Sequence, residues 1–176
     1  MSPLVVADRA AMHRLGEALA RELRRGDLVV LSGGLGAGKT TLTQGIGRGL
    51  GVRGEVTSPT FVIARVHPST VGGPALVHVD AYRLSSLDEV DDLDLDASLE
   101  DAVTVVEWGE GKVEGLAPDR LLVHIERPTG ADVSAVSGAA DPSSDTAEPR
   151  TVSLSGVGPR WDGVDLGALI AASASS

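Results

Sequence analysis

Gly33, four intervening residues and then Gly38-Lys39-Thr40 make a G-x4-G-K-[ST] pattern within LSGGLGAGKTT, residues 31–41. At that spacing the chemistry is phosphate binding. Glycines let successive backbone N–H groups turn inward, and a helix opening just after them adds its positive end, so a polyanion meets a concave array of donors. Lys39 supplies a mobile ammonium for the β- and γ-phosphates, and the Thr40 hydroxyl is an oxygen ligand suited to octahedral Mg²⁺. A hydrolysed triphosphate also needs an acid beside the metal and a group that handles the attacking water. Two carboxylates stand just past apolar runs, Asp80 after ALVHV and Glu107 after AVTVV. The residues alone leave open which of them serves the metal and which the water. No N-K-x-D segment of the kind that selects guanine occurs, so the base expected is adenine and the ligand ATP with Mg²⁺.

These groups need a scaffold to bring them together. LVVL (28–31) is an unbroken apolar run of the kind a strand buried on both faces shows. It precedes the glycine turn, and KTTLTQGIGRGLG (39–51) reads as the helix after it. Gly45, Gly47 and Gly49 each weaken that helix by about 1 kcal/mol relative to Ala, so docking must hold it. Upstream, Met12, Leu15, Leu19 and Leu23 recur at helical spacing, with Asp8 as N-cap and Gly26 as stop. Strands are expected at 60–66, 75–80, 102–108, 120–126 and 150–156, with HPSTVGGP (67–74) closing a hairpin between the first two. Residues 128–149 are Ser, Ala, Gly, Asp and Pro without periodicity and read as a flexible insertion. The tail is expected to hold a short helix from Asp162.

Composition narrows the classes. The 176 residues suit one domain, and aromatics make up 2%, so Val, Leu, Ile and Ala must build the core. Cysteine is absent, which excludes disulfides and thiolate metal sites. No membrane span or secretory signal is indicated, and the reading is cytoplasmic. The formal charge of -10 opposes long-range attraction to a polyphosphate backbone, so any nucleic acid is expected to be met through a partner. Eight acidic side chains lie between Asp88 and Asp101, a solvated face or a docking surface for a basic partner.

GGLGAGKTTLTQGIGRGLGV, VTSPTFVIARV, HVDAYRL and VEWGE, in that order and spacing, resemble the small bacterial ATPase family TsaE, also called YjeE. The resemblance implies a three-layer α/β fold of P-loop NTPase type, with a mixed, mostly parallel central sheet. It also implies Mg-dependent ATP hydrolysis in support of a TsaB–TsaD complex that makes N6-threonylcarbamoyladenosine on tRNA. Such a protein is monomeric alone and slow without its partners. Carried onto this chain, Lys39 binds phosphates while Gly36, Ala37, Gly38, Thr40 and Thr41 line the loop. Thr40 and Glu107 hold Mg²⁺, Asp80 orients or deprotonates water with Glu107 as rival, and Thr60 senses the γ-phosphate. Trp108 follows the metal acid and is placed near the nucleotide, and Tyr82 and Arg83 brace Asp80 or face the partner. Gly34 stands where the family often carries an acid. Gly109 stands where proline is common, which loosens that turn.

Two residues outside this scheme read as structural: His78, on the strand face of Asp80, as a packed imidazole, and Trp161 as a core ring. Two other functions fit a phosphate loop. A small-molecule kinase would need an arginine-rich lid, and residues 127–142 are poor in arginine. A nucleotide-dependent adaptor would need ATP binding without essential hydrolysis.

Overall fold

The computed structural model describes residues 3–59, 64–83, 100–111, 113, 115–127 and 148–169. In chain order the elements are β1 (Leu4–Val6), α1 (Arg9–Ala20), β2 (Leu28–Ser32), α2 (Lys39–Leu50), β3 (Ala64–His67), β4 (Ala75–Asp80), β5 (Ala102–Glu107), β6 (Arg120–Glu126) and β7 (Arg150–Val157). Short 3-10 turns follow β4 and β7, at Ala81–Arg83 and Pro159–Trp161.

The seven strands form one sheet in the order β1, β7, β6, β2, β5, β4, β3. The central four, β6, β2, β5 and β4, run parallel. The outer strands pair antiparallel, β3 on β4, and β7 on β6 with β1 beyond it. This is the mixed α/β sheet expected. The hydrophobic runs LVV and AVTVVE are buried because β2 and β5 are covered on both faces. Val29 and Leu31 point to α1 and α2 with Val103, Val105, Leu121 and Val123. Leu28 and Val30 point the other way with Val77, Val79 and Val106, where Val113 and the 116–117 turn close the described part of that face.

Parallel pairing does the positioning. Because β5 lies between β2 and β4, the carboxyl ends of three adjacent strands carry the glycine turn, Glu107 and Asp80 side by side. This edge is where open α/β sheets bind ligands.

Several expectations change in detail. β1 was not foreseen: three residues add an edge strand to β7. α1 begins at the Asp8 cap, whose Oδ1 accepts from the Ala11 N–H at 2.7 Å, but it ends at Ala20 rather than running to Gly26. Beyond the helix the chain is tied to Asp27: its Oδ2 accepts from the Arg24 N–H at 2.8 Å, and both carboxylate oxygens accept from Arg160. The 67–74 turn does join an antiparallel pair. The tail is helical at 166–169, after Asp165 accepts from the Ala168 N–H, so its start falls four residues past Asp162. Trp161 is a core ring, 5% exposed. The acidic run at 88–99, most of the 128–149 segment and Thr60 lie outside the described residues. No helix among the described residues is long and apolar enough to cross a membrane.

Candidate functional site: a phosphate loop with two strand-end acids

The loop from Gly33 to Gly38 depends on backbone conformations closed to most residues. Gly33 has φ 142°, and a Cβ there would fall 2.2 Å from the Ile125 carbonyl oxygen. Gly38 has φ 112° and serves as N-cap of α2 without a side-chain acceptor. The first turn of α2 contains no acid. Its leading N–H groups therefore keep their demand for an anion, reinforced by the positive end of the helix dipole.

Lys39 closes the loop from inside. Its Nζ donates to the carbonyls of Gly33 at 2.8 Å and Gly34 at 2.9 Å, and lies 3.7 Å from the centroid of the Trp108 ring. Burial pushes the Lys39 ammonium below its ordinary pKa, while the charges of Glu107 and Asp80 pull it back up. Trp108 reaches this position through a left-handed backbone, φ 61°, the only non-glycine with positive φ among the described residues. Such a strained conformation at a bulky residue is characteristic of functional sites. Its N–H donates to the Leu31 carbonyl at 3.0 Å, and its ring meets Tyr82 edge-on at 5.2 Å. Gly109, next in the chain, is buried with its Cβ position filled by Val106 and Val113 at 2.8 Å, so the turn is tight rather than loosened.

The acids occupy different environments. Glu107 is 3% exposed, and its Oε1 accepts from the Thr40 hydroxyl at 2.9 Å and from His78 Nε2 at 2.8 Å. Asp80, directly opposite Glu107 in the β4–β5 register, is half-buried and accepts from the Tyr82 N–H at 3.0 Å. A carboxylate and a hydroxyl within hydrogen-bond reach form an all-oxygen donor pair that suits Mg²⁺, which takes few protein ligands and fills its octahedron with phosphate oxygens and water.

A cleft of about 520 Å³ joins these groups. Gly36, Ala37, Gly38, Lys39, Thr40 and Thr41 line it together with Asp80, Glu107 and Trp108. Every site residue expected from the sequence is thus gathered here except Thr60, which lies outside the described residues; its neighbour Ser58 lines the cleft. Sequence reasoning missed five other residues that line the cleft, Asp8, Arg9, Met12, Glu148 and Arg150. These come from the start of α1 and the approach to β7, and nothing local in their sequence marks them. It also missed the bond of His78 to Glu107. The alternation that put His78 on the face of Asp80 was the available signal.

A family model described as "Threonylcarbamoyl adenosine biosynthesis protein TsaE" matches residues 6–133. A Streptomyces coelicolor protein named tRNA threonylcarbamoyladenosine biosynthesis protein TsaE is 61% identical over 160 residues, covering 90% of this chain and 99% of its own. Proteins of the same name from Mycobacterium tuberculosis and Haemophilus influenzae are 54% and 35% identical, covering 67% and 69% of this chain and 74% and 79% of their own. The crystal structure of Bacillus subtilis YdiB superposes with a TM-score of 0.60 at 27% identity, covering 98% of this chain and 95% of that one.

Proposed function

This chain belongs to the TsaE family of tRNA threonylcarbamoyladenosine biosynthesis, and from that premise we propose that it binds ATP with Mg²⁺ in the 520 Å³ cleft and hydrolyses it. One observation carries the reading: an uncapped helix N-terminus, the Lys39 ammonium and a 2.9 Å Thr40–Glu107 oxygen pair converge on one cleft.

The residues divide the work. The N–H groups from Gly36 to Thr41 wrap the phosphates, and Lys39 leaves the Gly33 and Gly34 carbonyls for the β- and γ-phosphate oxygens. Thr40 and Glu107 hold the divalent ion, which when bound neutralises charge developing between the β- and γ-phosphates. Asp80 orients the attacking water and accepts its proton. Its placement supports this role, because it is half-buried at the cleft wall and spends one oxygen on the Tyr82 N–H, which fixes its plane. Glu107 already receives two donors on one oxygen and is the weaker candidate for the base. Asp8, Met12 and Arg150, which also line the cleft, leave room for the nucleoside. Turnover serves a TsaB–TsaD pair, through which alone the chain meets tRNA.

Calorimetry with ATP and Mg²⁺ tests the site. Lys39→Ala removes a charged donor worth about 1.5–3 kcal/mol, so affinity should fall roughly 10- to 100-fold. Unaltered affinity in that variant would refute the phosphate assignment. Asp80→Asn should bind ATP normally and lose phosphate release, and co-purification with TsaB–TsaD with and without ATP tests the partnership.

A further inference from the structure

We propose that His78 is a positioning residue that holds the Glu107 carboxylate in the orientation a divalent ion requires. The inference rests on the reading above, in which Thr40 and Glu107 carry the metal. A carboxylate only accepts, so the 2.8 Å contact makes His78 Nε2 the donor and fixes its proton there. The Thr40 hydroxyl donates to the same oxygen, Oε1. Two donors from two elements, β4 and α2, set both the rotation and the plane of the carboxylate. Oε2 is left without a protein donor among the described residues, free to ligate.

The rest of the imidazole argues that this contact is why a histidine stands here. The side chain is 0% exposed, opposite Val105 in the register and on the same strand face as Leu76. Its Nδ1 is buried with no partner among the described residues. An unsatisfied buried nitrogen costs about 1–3 kcal/mol, which an aliphatic residue would avoid. The core keeps the ring at that cost, and the N–H toward Glu107 is the ring's polar contact. Outer partners of metal-binding carboxylates act in this way, and losing one typically costs about 10–100-fold in metal affinity or activity.

Two measurements decide it. First, Mn²⁺ is titrated by EPR into protein saturated with a non-hydrolysable ATP analogue. His78→Leu should weaken Mn²⁺ roughly 10- to 100-fold, while its nucleotide affinity without metal stays at the wild-type value. His78→Gln, which keeps an N–H at similar reach, should recover most of the loss. Wild-type Mn²⁺ affinity in His78→Leu, or a glutamine variant as poor as the leucine variant at equal melting temperature, would overturn the proposal. Second, ¹⁵N NMR of histidine-labelled wild-type protein needs no substitution and stays decisive if His78→Leu does not fold. It should show a protonated Nε2 in metal-free protein, with signals that move when Mg²⁺ joins the nucleotide; a proton on Nδ1 alone would overturn the assignment. If the wild type takes up no Mn²⁺ with nucleotide, the metal reading itself fails, and the tautomer still reports whether His78 donates to Glu107.

Discussion

Gly45→Ala places a methyl group where α1 and α2 touch. The new Cβ would lie 2.3 Å from the His13 carbonyl oxygen and 3.0 Å from the Gly16 Cα. Carbon–oxygen contacts settle near 3.3 Å, so the helices must part by about 1 Å. Both obstructing atoms are backbone, and no side chain can rotate away. Gly16 mirrors the constraint, its own Cβ position lying 2.5 Å from the Leu42 carbonyl, so neither helix can yield by sliding toward the other. Overpacking of this kind costs about 1–3 kcal/mol, here toward the upper end. Alanine returns about 1 kcal/mol of helix propensity. The net loss of about 1–2 kcal/mol should lower the melting temperature by roughly 2–8 °C in a chain of this size. Thermal melts by circular dichroism read it directly. Gly34→Ala is the control: nothing lies within 4 Å of its Cβ position, and its melting temperature should not move. A Gly45→Ala variant melting at or above the wild type would refute the close-packing argument and leave propensity as the governing term.

Arg160→Ala strands the buried Asp27 carboxylate, which now receives two guanidinium bonds at 2.9 and 2.8 Å. Because the arginine side chain is 17% exposed, urea unfolding should show a loss of about 2–4 kcal/mol, short of a fully buried pair. A loss under about 1 kcal/mol would class it with surface pairs. His67 is held below its ordinary pKa, by burial first and then by the charge of His78, against a weaker upward pull from an Arg53 backbone bond. Below the unfolded value of 6.5 the unfolded chain takes the proton first, so stability is full above that value and falls as pH drops through the window beneath it. Melting curves of His67→Leu should be flatter over that range, and an unchanged pH dependence would exclude His67. Phosphate entering beside Lys39 must disturb the Trp108 ring 3.7 Å away, so ATP should change tryptophan emission in Trp161→Phe and leave it unchanged in Trp108→Phe.

The phosphate loop was legible because its chemistry is local: glycine, lysine and threonine carry their meaning within eight residues, and the adjacent apolar run marks a central strand. Glu107 and Asp80 were legible for a related reason, since each ends a hydrophobic run and parallel pairing aligns such ends. What distance in the chain separates was not. Arg160 grips Asp27 across 133 residues, and no spacing in the sequence announces that pair. β1 has too few residues for a period to show and exists because β7 offers it an edge. The glycines of α2 were correctly taken as a sign of docking, but the surface they fit, the backbone of α1, appears only in three dimensions. His78 announced burial by its valine neighbours, and concealed its bond because the partner lies on another strand.

The internal grip on the Lys39 ammonium also bears on how a ligand arrives. With two carbonyl dipoles and an indole face already around it, that cation projects little field beyond the mouth of the cleft. The protein as a whole carries a formal charge of -10, so on the proposed reading the ATP–Mg²⁺ anion meets repulsion before it reaches the loop. Attraction begins only on contact, when the carbonyls hand the lysine over. Added salt, by muting the outer repulsion, should therefore quicken capture, the reverse of its effect on proteins that lure anions from afar.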